Sequence, residues 1–153
     1  MSRLDHINLV VADLERAAHF YKHVFGWRRG FSAELSGEWI ERVSGLEGVR
    51  ASCLFLESPD GGARIELIRY DAPRGTSFEA NSTANTLGAR HIAFEVENIE
   101  ATLQRVHELG LEPLGSVAQV PFRVGNLGAK RLVYFPDFDG VLVEAAAYDP
   151  ASS

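Results

Sequence analysis

The sequence predicts an α+β domain built from two similar halves, each a strand, a helix and then about three more strands. Three observations predict it. A His-bearing segment occurs twice, Asp5-His6-Ile7 and Arg90-His91-Ile92, and each time a stretch of helical periodicity follows. A turn leading into an apolar strand also occurs twice, at Pro59-Asp60-Gly61-Gly62 and at Asp137-Phe138-Asp139-Gly140. Both of those strands carry a glutamate, Glu66 and Glu144, with a glycine four residues before it (Gly62, Gly140) and a tyrosine four after it (Tyr70, Tyr148). A chain of 153 residues with 46% hydrophobic and 24% charged residues has the length and composition of one globular domain. The domain is expected to span residues 1–153, with a first module at about 1–75 and a second at about 89–148. The stretch 71–88, rich in Pro, Gly, Ser, Thr and Asn, reads as the linker.

In the first module, Leu4 to Val11 reads as a strand, with His6 and Asn8 on one face and Ile7, Leu9 and Val11 on the other. Asp13 caps a helix whose Leu14, Ala17, Ala18, Tyr21, Val24 and Phe25 share a face, and Gly26 ends it. Trp27 to Phe31 is expected as a strand. The stretch 32–48 is expected to be irregular, with a short helical turn near Trp39-Ile40-Glu41-Arg42. Val49 to Glu57 and Ala63 to Tyr70 are strands around the turn at 58–62. In the second module Arg90 to Val96 is a strand, Asn98 caps a helix with Ile99, Leu103, Val106 and Leu109, and Gly110 stops it. Short strands at 111–114 and 117–120, a loop at 121–128, and strands at 131–135 and 141–148 complete the chain before a polar tail.

A net charge of -6 and a pI near 5.3 argue against nucleic acid or an anionic membrane as partner. No apolar run approaches the roughly 20 residues that span a bilayer. The N-terminal residues lack the apolar core of a secretory signal, and a lone cysteine, Cys53, fits a reducing compartment, so a cytoplasmic protein acting on a small molecule is expected. Cys53 lies in an apolar run and reads as a core residue. His19 and His23, one helical turn apart, read as an exposed helix face.

The chemistry-bearing residues are therefore one His and one Glu per half. A glutamate in an apolar strand is costly to bury unless it is paired or ligates a metal. Taken singly, each of these residues reads more readily as structural: His6 and His91 with backbone partners, Glu66 and Glu144 with Arg64, Arg69 or Arg131. Taken together, at equivalent places in a repeat, they point to a divalent cation. If the halves pack as a pseudo-twofold pair of curved sheets, His6, Glu66, His91 and Glu144 meet in one open, barrel-like cavity. Two imidazoles and two carboxylates suit Ni, Co, Zn, Mn or Fe, and leave positions open for substrate.

At this point the sequence resembles the vicinal oxygen chelate superfamily, which includes glyoxalase I, methylmalonyl-CoA epimerase, extradiol dioxygenases, and fosfomycin and bleomycin resistance proteins. The resemblance lies in Leu4-Asp5-His6-Ile7, in the segment from Phe20 to Trp27, in Arg90-His91-Ile92-Ala93-Phe94, and in the segment from Asp137 to Glu144. It implies paired βαβββ modules around a metal, and a homodimer. His6, Glu66, His91 and Glu144 are similar to the ligands of bacterial nickel- or cobalt-type glyoxalase I. Epimerases of the family usually carry Gln where Glu66 stands, extradiol dioxygenases use only the equivalents of His6, His91 and Glu144, and bleomycin resistance proteins lack the metal set. Glu47 precedes Gly48-Val49, near the place where the epimerases carry a second carboxylate. The implied activity is that of a metal-dependent lyase or isomerase of the glyoxalase I type. Glu144 or Glu66 would abstract a proton next to a chelated carbonyl. The alternatives are an iron-dependent extradiol dioxygenase and a non-catalytic binding or resistance protein. Arg123 and Lys130, flanking a Gly-containing loop, are candidates to meet an anionic substrate group. Trp39, Phe122 and Tyr148 are candidates for apolar walls.

Overall fold

The computed structural model describes residues 1–77 and 83–149. Part of the expected linker and most of the polar tail lie outside the described residues. The chain divides into two compact units, Met1–Ser77 and Phe78–Ser153.

The first unit is a four-stranded sheet with two helices. Its elements are β1 (His6–Val10), α1 (Leu14–Phe25), β2 (Arg28–Ser36), α2 (Glu38–Ser44), β3 (Arg50–Glu57) and β4 (Arg64–Ala72). The strand order is β1-β4-β3-β2, with β1 parallel to β4 and the other neighbours antiparallel. The second unit repeats this plan without the second helix. It contains β5 (His91–Glu95), α3 (Ile99–Glu108), β6 (Ala118–Arg123), β7 (Ala129–Pro136) and β8 (Leu142–Asp149), in the order β5-β8-β7-β6.

Both long helices start where the sequence puts a cap. Asp13 Oδ1 accepts the N–H of Arg16 at 3.0 Å, and Asn98 Oδ1 accepts that of Ala101 at 2.8 Å. Each cap stabilises its helix by about 1 kcal/mol. Gly26 ends α1 in the left-handed region, at φ 74°, and its N–H reaches Lys22 O. Phe20, Tyr21 and Val24 of α1 are fully buried, as are Leu56, Ile65 and Leu67 of the sheet that α1 packs on. Each such side chain contributes about 1.5–3 kcal/mol. Ile99, Thr102 and Val106 of α3 do the same work over Val143 and Ala145 of β8.

The alternation along β4 sends Ile65 and Leu67 one way and Glu66, Ile68 and Tyr70 the other. That second face also has a core. Leu35, Ile40, Val49, Ala51, Cys53 and Ile68 form an apolar cluster, with Phe55 and Tyr70 against it. Cys53 is thus a buried core residue, and burial pushes its thiol pKa up. No helix among the described residues is long and apolar enough to cross a membrane.

Several expected boundaries move. Residues 32–36 are strand rather than irregular, because pairing with β3 at Ser32↔Leu54 through Ser36↔Arg50 overrides the weak strand preference of Ser, Ala and Glu. The helical turn near Trp39 is the full helix α2. Residues 111–114 form no strand. Pro113 removes one donor there, and the Leu114 N–H bonds to Tyr134 O. The expected loop at 121–128 begins as strand, since β6 runs through Pro121 to Arg123. That proline is tolerated on an edge strand, and the β6–β7 register shifts between Gln119 and Arg123. Gly128 then lets β7 start beside the end of β8. Its φ is +99°, and a Cβ there would stand 2.0 Å from Asp149 O.

Candidate functional site

Each unit brings its histidine and its glutamate together by the same register. Parallel pairing sets Asn8 beside Glu66 in the first unit and Ala93 beside Glu144 in the second, with the histidine two residues earlier on the same face. His6 Nε2 lies 3.5 Å from Glu66 Oε2, and His91 Nε2 lies 3.3 Å from Glu144 Oε2. An aspartate at the preceding turn steadies each glutamate strand. Asp60 Oδ1 accepts the N–H of Gly62, and the buried Asp137 accepts those of Asp139 and Val141.

In the first unit the pair is flanked by neutral groups and, on its far side, by the Asp5–Arg64 ion pair. Asn8 Nδ2 donates to Glu66 Oε2 at 3.2 Å and to Glu66 O at 3.3 Å. The His6 ring makes an edge contact with Phe55, which stands opposite Glu66 in the β3–β4 register. Its Nδ1 is 2.7 Å from Asp5 Oδ2, and Arg64 Nη2 donates to that same oxygen at 2.7 Å. These two contacts, the His6 one first, hold the Asp5 carboxyl below its ordinary pKa. A carboxylate on one ring nitrogen orients the imidazole and leaves the other nitrogen, here Nε2, facing the glutamate.

In the second unit the carboxylate is deeper. The Glu144 side chain is 3% exposed, against 18% for Glu66. Lys130 Nζ stands 2.5 Å from Glu144 Oε1. That approach is a charge contact, since Oε1 has no well-directed hydrogen-bond donor. The contact with Glu144 raises the Lys130 pKa against the opposing effect of burial. Tyr134 faces Glu144 across the β7–β8 ladder, and the His91 ring tilts against it at 5.1 Å. Burial, then the Glu144 charge, pushes the Tyr134 phenol up.

The arginines that sequence reasoning offered as partners are committed elsewhere. Arg64 is on Asp5, Arg69 on Asp71, and Arg131 on Glu100. The cation at Glu144 is Lys130 instead. It lies at the β7 position opposite Tyr148, with its ammonium 5.7 Å from that ring. Arg123 is exposed at the end of β6. Trp39 and Phe122 are 56% and 68% exposed, so any wall they form is at the surface of their own units. Glu47 is exposed in the loop between α2 and β3. His19 and His23 stack on α1 with ring centroids 5.6 Å apart. Sequence reasoning missed Asn8 as a partner of Glu66 and Lys130 as the counter-charge of Glu144. Strand alternation could have found Asn8, two residues from His6 on the same face.

Among the described residues no group of three or more His, Cys, Asp or Glu side chains stands at metal-holding distance. The donors come as two pairs, one per unit. Adjacent donors on an octahedral ion with bonds of about 2.1 Å lie about 3.0 Å apart. Separations of 3.5 and 3.3 Å therefore suit two neighbouring ligands of one cation. Glu144 Oε1 is taken by the Lys130 ammonium, which leaves Oε2, on the His91 side, as the oxygen of that pair.

The chain belongs to the Glyoxalase/Bleomycin resistance protein/Dioxygenase superfamily, whose model matches residues 3–145. It is similar to an ethylmalonyl-CoA/methylmalonyl-CoA epimerase from Cereibacter sphaeroides, at 32% identity over 94% of this chain and 96% of that protein. It is 27% identical to the human mitochondrial methylmalonyl-CoA epimerase, over 94% of this chain and 73% of that one. Among solved structures, a glyoxalase family protein from Bacillus cereus superposes with a TM-score of 0.85 at 30% identity, covering 97% of this chain and 95% of its own.

Proposed function

We propose that the chain is a divalent-metal-dependent isomerase or lyase that removes a proton from a carbon next to a carbonyl, with epimerisation of an acyl thioester as the first case to test. The observation that carries this reading is the duplicated pair, His6 with Glu66 and His91 with Glu144, at one register in both units. The epimerase relatives support the isomerase reading. His6, Glu66, His91 and Glu144 would hold the ion, from one chain or from two copies in a dimer. When bound, such an ion supplies Lewis-acid polarisation of a substrate carbonyl oxygen.

The chain's own residues would do the rest. A carboxylate, Glu66 or Glu144, accepts the carbon-bound proton and can return it. Glu66 is the less encumbered of the two, being 18% exposed and held by a neutral amide. Asp5 keeps the His6 ring oriented with Nε2 toward Glu66. Glu66 itself favours a second reading, a lyase of the glyoxalase I type, since the resemblance gives the epimerases Gln at that position.

Elemental mass spectrometry on tag-free protein is the test, beside the double variant His6→Ala, Glu144→Ala. About one Ni, Co, Mn, Zn or Fe per chain, lost in the variant, is the expected result. Exchange of the carbon-bound proton with deuterated water, followed by NMR on acyl-thioester epimers and on 2-oxoaldehyde adducts, then separates isomerase from lyase. Iron with oxygen uptake on a catechol would favour a dioxygenase. No metal after incubation with each ion would overturn the proposal and leave a binding protein.

A further inference from the structure

The two histidines share a register but not what stands behind them. Asp5 precedes His6, and Arg64 lies opposite His6 in the parallel β1–β4 ladder. In the second unit Arg90 precedes His91, and Leu142 lies opposite it. Those two positions therefore supply a carboxylate and a guanidinium in the first unit only.

Arg64 holds Asp5 twice. Its backbone N–H donates to Asp5 O at 3.1 Å, and its Nη2 donates to Asp5 Oδ2 at 2.7 Å. That same oxygen is 2.7 Å from His6 Nδ1. The guanidinium is steadied in turn by the Phe55 ring, whose centroid is 4.7 Å from it. A carboxylate paired with a guanidinium has no proton to give, so the Asp5–His6 contact places the ring proton on Nδ1. Nε2 is then a lone-pair acceptor, and it faces a second acceptor, Glu66 Oε2, at 3.5 Å. Two acceptors gain nothing from each other at that distance, but both gain from a cation between them. Asp5 by itself would hold this arrangement loosely. Its side chain is 58% exposed, and an exposed polar contact competes with water.

We propose that Arg64 is a positioning residue for the cation site: by fixing Asp5 it keeps His6 in the Nδ1–H form, with the Nε2 lone pair turned toward Glu66. The inference rests on the metal reading above. Charge alone predicts the opposite effect, because a guanidinium near a bound cation repels it and its removal would tighten binding. Positioning predicts that its removal weakens binding.

The test uses the full-length protein with and without metal. In the metal-free protein, proton–nitrogen NMR correlation spectra at about pH 8, where imidazoles are ordinarily neutral, read which nitrogen of each histidine carries the proton. His6 is expected in the Nδ1–H form. Arg64→Met is expected to move its two nitrogen signals toward the average of both forms, while those of His91 stay in place. In Co(II) titrations Arg64→Met is expected to weaken binding about tenfold, the lower end of the usual cost of losing an outer partner of a metal-bound histidine. In an Asp5→Asn background the same substitution should weaken it by less than about twofold, since the group through which Arg64 acts is gone. Circular dichroism establishes that each variant is folded, and Arg64→Gln replaces Arg64→Met if the latter is not. Unmoved His6 signals, unchanged or tighter Co(II) binding, or full additivity with Asp5→Asn would overturn the proposal while leaving the metal site standing. Failure of the wild-type protein to take up Co(II) or any other of the ions would overturn the metal reading, and this inference with it.

Discussion

The two units present the same pair of ligand types in unlike surroundings. Glu66 is part-exposed, and the Asn8 amide suffices beside it. Glu144 is 3% exposed and has an ammonium at 2.5 Å. Burial accounts for the difference. A carboxylate that keeps some water needs only a neutral donor, whereas one withdrawn from water needs a cation or must give up its charge. The ring opposite each glutamate changes in the same sense, from Phe55 to the phenol Tyr134. The two His–Glu pairs thus share one backbone register, and only the second has a cation beside its carboxylate.

Removing that counter-charge should have the largest effect. Lys130→Met is expected to cost the metal-free protein about 2–3 kcal/mol in urea unfolding, somewhat below the cost of breaking a fully buried pair. The double variant Lys130→Met, Glu144→Leu should recover most of the loss, because an apolar pair leaves no buried charge behind. A double variant no better than the single one would mean that the contact does not decide stability. In the first unit Asn8→Ala should cost less, about 0.5–1.5 kcal/mol, because water can replace an amide on a carboxylate that is 18% exposed. If Asn8→Ala proved as costly as Lys130→Met, burial would not be what separates the two pairs.

Much of this comparison was legible in the sequence, because it depends on periodicity. The repeat, the caps Asp13 and Asn98, and the pairing of each His with the Glu of its own half all follow from alternation and spacing that the structure retains. The counter-charges were not legible. Arg64, Arg69 and Arg131 lie nearest in sequence to the glutamates or their neighbours, yet each has a carboxylate closer to hand in Asp5, Asp71 or Glu100. Lys130 reaches Glu144 only because the β7–β8 ladder sets Tyr134 against Glu144 and Lys130 against Tyr148, a register fixed by the turn at 137–140. Strand ends were missed where pairing outvoted propensity, as at residues 32–36 and at Pro121. The metal reading itself came from residue types in a repeated pattern, which periodicity alone does not assign to one ion.

The smallest expected effects lie at opposite ends of the pH scale and sharpen the comparison. Lys130 has its pKa raised in the folded protein by its contact with Glu144. Its stabilising contribution is therefore fully present below the ordinary lysine value of 10.5 and is lost as pH rises through the higher folded value. Tyr134 adds to the same alkaline loss, because burial and the Glu144 charge hold its proton above the ordinary value of 10.0. The first pair behaves in the opposite sense. Asp5 is lowered by His6 and then Arg64, so its contribution is present above the ordinary 3.8 and is lost as pH falls through the lower folded value. Melting curves of the metal-free protein from pH 3 to 11 should therefore show Lys130→Met flattening the alkaline limb. Asp5→Asn should flatten only the acid limb, and by less, since Asp5 is solvent-exposed and screened. Flattening of the alkaline limb by Asp5→Asn would mean that the two pairs are electrostatically coupled, and the separate treatment of their charges would have to be abandoned.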